Sequence, residues 1–124
     1  MKVFAIASIA LVAAATPMQV GATTGEIGYD RGALGYDALV AGDNQAAIRQ
    51  IEMSDSTAQN DPARLINLAI AHYRTGQTAQ ALALFDEAAR AENVQLVVAG
   101  GKVMNSRAIA HGALSAINSR LAVR

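Results

Sequence analysis

The sequence predicts an all-α fold in which antiparallel helix hairpins stack into a short solenoid, closed by a C-terminal β-hairpin plus capping helix. Three observations predict it. Residues recur along the chain at a constant separation of 34. The apolar content owes much to alanine, and the alanine-rich stretches are interrupted by charges at helical spacing. Glycines and capping residues punctuate these stretches where helices would end and restart. At 124 residues the chain has room for one domain, which at this size buries roughly two-thirds of the surface its unfolded form exposes. Ten basic and ten acidic side chains balance, and the basic ones are scattered. No electrostatic footprint for nucleic acid or an anionic membrane results. The absence of cysteine removes disulfide frameworks, thiolate metal sites and thiol nucleophiles.

The first 22 residues read as an export signal. Lys2 gives a positive start, residues 3–15 run apolar with only Ser8 inside, and Thr16-Pro17 break the run. A spanning helix needs about twenty apolar residues, so this run is short for a stable anchor. Val20-Gly21-Ala22 then offers a small-residue cleavage site. A cut after Ala15 is the alternative and would leave Pro17 close to the new terminus. A buried N-terminal helix is the competing structural reading. Removal of residues 1–22 leaves ten acidic against nine basic side chains, a mature domain over 23–124, and a periplasmic or secreted location.

Leu34-Gly35 recurs as Leu68-Ala69, Gly42 as Gly76, Ala46-Ala47 as Gln80-Ala81 and Ile51 as Phe85. Around the second copy, the run from Asn67 through Gly76 and Gln77, then Ala81, Phe85 and Ala88, resembles the tetratricopeptide repeat family. The first copy resembles it more loosely, with Ala38 and Ser54 at positions where the family has a large residue and alanine. The resemblance covers residues 29–93, with repeats at 29–60 and 61–93, and implies paired helices whose first members line a concave groove.

Each signature residue also has a direct physical reading. Small residues at Ala69 and Ala81 let two helices approach closely while Leu68 and Phe85 fill the space between them. Gly42 and Gly76 can adopt the left-handed conformation that ends a helix, with Asp43 and Thr78 available to cap the next. Asp61-Pro62 pairs an N-cap with proline at the first helical position. The spacing predicts helices over 28–41, 44–54, 62–75 and 78–91, with a polar loop at 54–60. Gly28, Gly32 and Gly35 fall inside the first, each costing about 1 kcal/mol relative to alanine. Packing must hold that helix, and the glycines can mark a close backbone approach.

After Asn93 the period changes. Val94, Leu96 and Val98 alternate, Gly100-Gly101 follows, and Lys102-Val103-Met104 is again extended in pattern, which predicts a β-hairpin. A helix through this stretch would have to accommodate two adjacent glycines. Asn105 or Ser106 then caps a final helix with an apolar stripe at Ile109, Leu114, Ile117 and Leu121. Residues 94–124 would cap the open end of the array.

Catalytic patterns are missing. His72 and His111 lack metal-ligand spacing, and His72 falls where the repeat family has an aromatic packing residue. Gly101-Lys102 lacks the rest of a phosphate loop, no GxSxG elbow occurs, and adjacent Asp86 and Glu87 point different ways on a helix. No catalytic residue, cofactor or metal is predicted. The resemblance instead implies a partner-binding groove faced by Tyr29, Tyr36, Ile66, Ile70, Tyr73 and Arg74. Tyr29 and Tyr36, seven residues apart, would share one helical face, and tyrosine with arginine dominates interface hot spots. The alternative places the isoleucines against a neighbouring repeat. The expected function is therefore an exported interaction module that binds a peptide or protein segment. A structural protein that self-associates through exposed repeat ends is the alternative.

The exported protein should begin near Thr23, which the intact mass of the secreted form will show. Recovery of the uncut chain from the membrane would contradict export and release.

Overall fold

The computed structural model describes the backbone of residues 12–14 and all of residues 29–123. The expected cleavage site and the rest of the expected leader lie outside the described residues. Among the described residues are helices α1 (Tyr36–Val40), α2 (Asn44–Met53), α3 (Pro62–Arg74), α4 (Thr78–Arg90) and α5 (Ser106–Ala122), and strands β1 (Val12–Ala14), β2 (Gln95–Val98) and β3 (Val103–Asn105). Sequence neighbours are spatial neighbours: each helix packs on the next, except that the hairpin intervenes before α5, which packs on α4 and also reaches α3. From Pro62 to His72 every residue of α3 is buried. A helix enclosed on all sides is the centre of its domain.

The helix starts follow from caps. The Asp43 carboxylate accepts the Ala46 amide at 3.0 Å and opens α2. Asp61 accepts the amides of Ala63 and Arg64 at 2.9 and 3.3 Å, with Pro62 at the first helical position of α3. These side chains satisfy donors that a helix start leaves free. Helix α4 differs from the sequence expectation. Thr78 is its first residue rather than its cap, and Gln77 at the cap position turns its side chain to His72 Nδ1 instead.

The internal period is visible in the hydrogen bonds. At the end of α1, the Asp43 amide donates to the Ala38 carbonyl at 2.8 Å and the Gly42 amide to Leu39 at 3.1 Å. At the end of α3, Gln77 donates to His72 at 2.9 Å and Gly76 to Tyr73 at 3.1 Å. Gly42 and Gly76 hold φ of 82° and 85°. One left-handed turn is thus built twice, closing carbonyls that the helix end would otherwise orphan.

The first helix is shorter than its expected 28–41. Gly32 and Gly35 take φ of 85° and 61°, which a right-handed helix excludes, so residues 30–35 form consecutive turns and α1 begins only at Tyr36. The close approach expected of these glycines occurs at Gly35. A β-carbon there would lie 3.1 Å from the Ala47 carbonyl oxygen and 3.2 Å from its Cα. The matching positions one period later, Ala69 and Ala81, are both fully buried.

The expected hairpin is present. Strands β2 and β3 pair antiparallel, with Gln95 opposite Asn105 and Val97 opposite Val103. The Gly101 amide closes the turn on the Val98 carbonyl at 2.9 Å, and Gly100 and Gly101 both hold positive φ. On the other edge of β2, strand β1 pairs antiparallel through Val12–Val98 and Ala14–Val97, with a register irregularity between them. Helix α5 is capped from a distance. Asn105 makes no side-chain cap bond, whereas Asn93 Oδ1 accepts the Arg107 amide at 3.1 Å, and Ser106 Oγ accepts the Val94 amide at 3.0 Å. Its buried stripe is Ile109, Ala110, Ala113 and Ile117, while Leu121 stays exposed.

Phe85, fully buried between α4 and its neighbours, sets the stability of this arrangement. Phe85→Ala should cost about 3–5 kcal/mol in chemical denaturation. A loss below about 1 kcal/mol would show that the helix register is wrong.

Candidate functional site

The structure does not gather the six expected groove residues into one exposed face. Ile66 and Ile70, on the middle of α3, are enclosed in the core and offer no surface. Tyr29 and Tyr36 do not share a helix, because the left-handed glycines between them break it; each packs half-buried on the core. The Tyr29 hydroxyl lies 3.2 Å from both carboxylate oxygens of Asp61, the residue that caps α3. Burial, together with the Asp61 charge, raises the Tyr29 phenol well above its ordinary range. It therefore donates as a neutral hydroxyl and ties the segment before α1 to the start of α3.

Arg74 is likewise engaged by its own chain. Its guanidinium donates to the Leu39 carbonyl at 2.8 Å and to Asn44 Oδ1 at 3.4 Å. Leu39 lies in the last turn of α1, and its carbonyl, which also accepts the Gly42 amide, takes the guanidinium on its second lone pair. Partial burial lowers the Arg74 pKa from its ordinary value, and the planar fork remains charged. Asn67 adds a third tie, its fully buried amide donating to the Leu34 carbonyl at 3.0 Å. Sequence reading assigned Arg74 to a partner and passed over Asn67. A buried asparagine in an apolar helix is the signal that could have flagged the latter, since it must find an internal partner.

Tyr73 has a different setting. It is half-buried and forms one wall of a cleft of about 390 Å³, with Thr78 beside it and Ile117, Arg120, Leu121 and Val123 opposite. The turn between α3 and α4 brings Tyr73 and Thr78 together, and the last turns of α5 supply the other wall. Leu121 is 41% exposed and Val123 85%. Among the described residues no carboxylate lines the cleft. Among the described residues the ion pair is Arg90–Asp86, and the half-buried Arg120 has no acidic partner there. An aromatic ring, an aliphatic wall, a hydroxyl and an uncompensated cation suit an apolar side chain next to a carboxylate. Neither Arg120 nor Val123 was legible as a site residue, because only the return of α5 to α3 places them beside Tyr73.

A second cavity of about 510 Å³ lies between the turns at 30–33 and the end of α2. Arg31 and Arg49 share it with Asp30 and Asp55, so its charges offset one another. Among the described residues no group of three His, Cys, Asp or Glu could hold a metal ion, and no helix is long and apolar enough to cross a membrane. No protein-family model, curated protein or solved structure matches the chain.

Arg74→Ala should destabilise the domain by about 1–3 kcal/mol, because it removes the charge-assisted hydrogen bonds to the Leu39 carbonyl and Asn44 that tie α1 and the start of α2 to α3. Thermal melting will report it. An unchanged melting temperature would show that Arg74 does not tie α1 to α3.

Proposed function

We propose that this chain is an exported, non-catalytic adaptor built on tetratricopeptide-like helix hairpins, and that it binds a peptide segment of a protein partner. The doubled helix-ending turn and the 34-residue recurrence support the repeat reading. The observation that carries the binding reading is the Tyr73–Arg120 cleft, where a half-buried aromatic wall meets a guanidinium with no acidic partner among the described residues and exposed apolar side chains. Tyrosine offers broad contact at low entropy cost, and arginine offers a planar fork for a carboxylate. The expected groove thereby narrows from six residues to Tyr73, and its other contacts come from α5. The segment best suited to it carries an apolar side chain beside an acidic side chain. Export, through removal of residues 1–22, places that partner in the periplasm or outside the cell.

Crosslinking in the native compartment will identify the partner, and titration of the purified pair will test the cleft. Tyr73→Ala and Arg120→Glu should each weaken binding by about 2 kcal/mol or more while the helical circular dichroism stays unchanged. Binding at full strength by both folded variants would refute the cleft as the site.

A further inference from the structure

Strand β2 carries Gln95, Leu96, Val97 and Val98, with no charge and no proline. Exposed sheet edges are ordinarily blunted by such residues. Its hydrogen-bonding groups are divided by strand alternation. Val94 and Val98 bond across to Ser106 and Lys102, on the β3 side, so the amides and carbonyls of Gln95 and Val97 face the opposite edge. Among the described residues that edge is covered by β1 alone, three residues of the apolar run that the sequence assigns to the leader. Strand β1 also lies against α3, so the third-strand position is a groove between a strand edge and a helix. A site of this shape recognises extended peptides by adding a strand to a sheet.

We propose that the edge of β2 is a docking site for an extended, uncharged apolar segment of a partner polypeptide, and that residues 12–14 occupy it until the leader is removed. The seated Val-Ala-Ala segment defines the chemistry: antiparallel, extended, small and apolar. Losing it removes the partners that β1 supplies to the edge-facing groups of the half-buried Val97, which favours replacement by another strand. This inference is independent of the Tyr73 cleft. Its regulatory half rests on reading residues 1–22 as a removable leader.

The test uses the uncut full-length chain, with Ala14→Pro to disrupt β1 pairing without truncation. The probe is a labelled peptide of residues 9–16 with lysines appended for solubility. It should bind Ala14→Pro at least tenfold more tightly than the unchanged chain. Adding Val97→Pro should abolish binding with helical circular dichroism retained. A peptide N-methylated at alternate amides, which needs no change in the protein, should also fail to bind. Equal binding to both chains, no binding to either, or undiminished binding of the methylated peptide would overturn the proposal. So would an Ala14→Pro chain that dimerises through β2 and ignores the peptide, since the edge would then belong to a second copy. If Ala14→Pro gains the peptide but the exported protein retains residues 1–22, the docking site stands and its release by processing fails.

Discussion

The fold depends on how closely the two helices of each pair can approach. At Gly35 and Ala47 the backbones come near enough that a β-carbon would meet the opposite chain at 3.1 Å, and Ala69 and Ala81, the residues 34 positions on, are both fully buried. Small residues at the crossing let the larger ones beside it interdigitate, so Ile51 and Phe85 are fully enclosed. The left-handed turns at Gly42 and Gly76 then fold each second helix back along the first. Close crossing and tight turn are parts of one constraint, because a wider crossing would leave the core residues facing voids.

A five-residue helix has little stability alone, and α1 is held by polar ties as much as by apolar contact. Tyr29 binds Asp61, Asn67 binds the Leu34 carbonyl, and Arg74 binds the Leu39 carbonyl. Asp61, Asn67 and Arg74 lie on α3 or at its cap, so this helix anchors residues 29–39 along its length. The arrangement has a functional consequence. Side chains used as ties are withdrawn from the surface, and the exposed mixture of aromatic, aliphatic and cationic groups moves to the far end of α3, where α5 returns.

Much of the helical frame was legible because its boundaries are set by local chemistry. Asp43, Asp61-Pro62, Gly42 and Gly76 act within a few residues of themselves, and α2, α3 and α4 start at or beside their expected positions. The hairpin was legible for the same reason, through Gly100-Gly101. The first helix was misread because the seven-residue spacing of Tyr29 and Tyr36 suggested one face, while Gly32 and Gly35 favoured left-handed turns with equal local justification. Tertiary packing at Ala47 decided between them. Arg74 and the capping of α5 by Asn93 depend on contacts distant in sequence, which no local pattern encodes. The Tyr73 cleft shares that property, since its walls come from elements about forty residues apart whose meeting depends on the whole stack.

The close crossing in the first pair can be separated from the glycine turns that accompany it. Gly35 and Gly42 both hold positive φ, but a β-carbon at Gly42 meets nothing within 4 Å, whereas one at Gly35 meets the Ala47 backbone. Alanine at either position carries left-handed strain of about 1–2 kcal/mol, and at Gly35 it adds a clash worth about 1–3 kcal/mol. The most direct measurement is the difference in unfolding free energy between Gly35→Ala and Gly42→Ala. The close-crossing account predicts that Gly35→Ala is the less stable by about 1 kcal/mol or more. Equal losses, or a greater loss at Gly42, would contradict it.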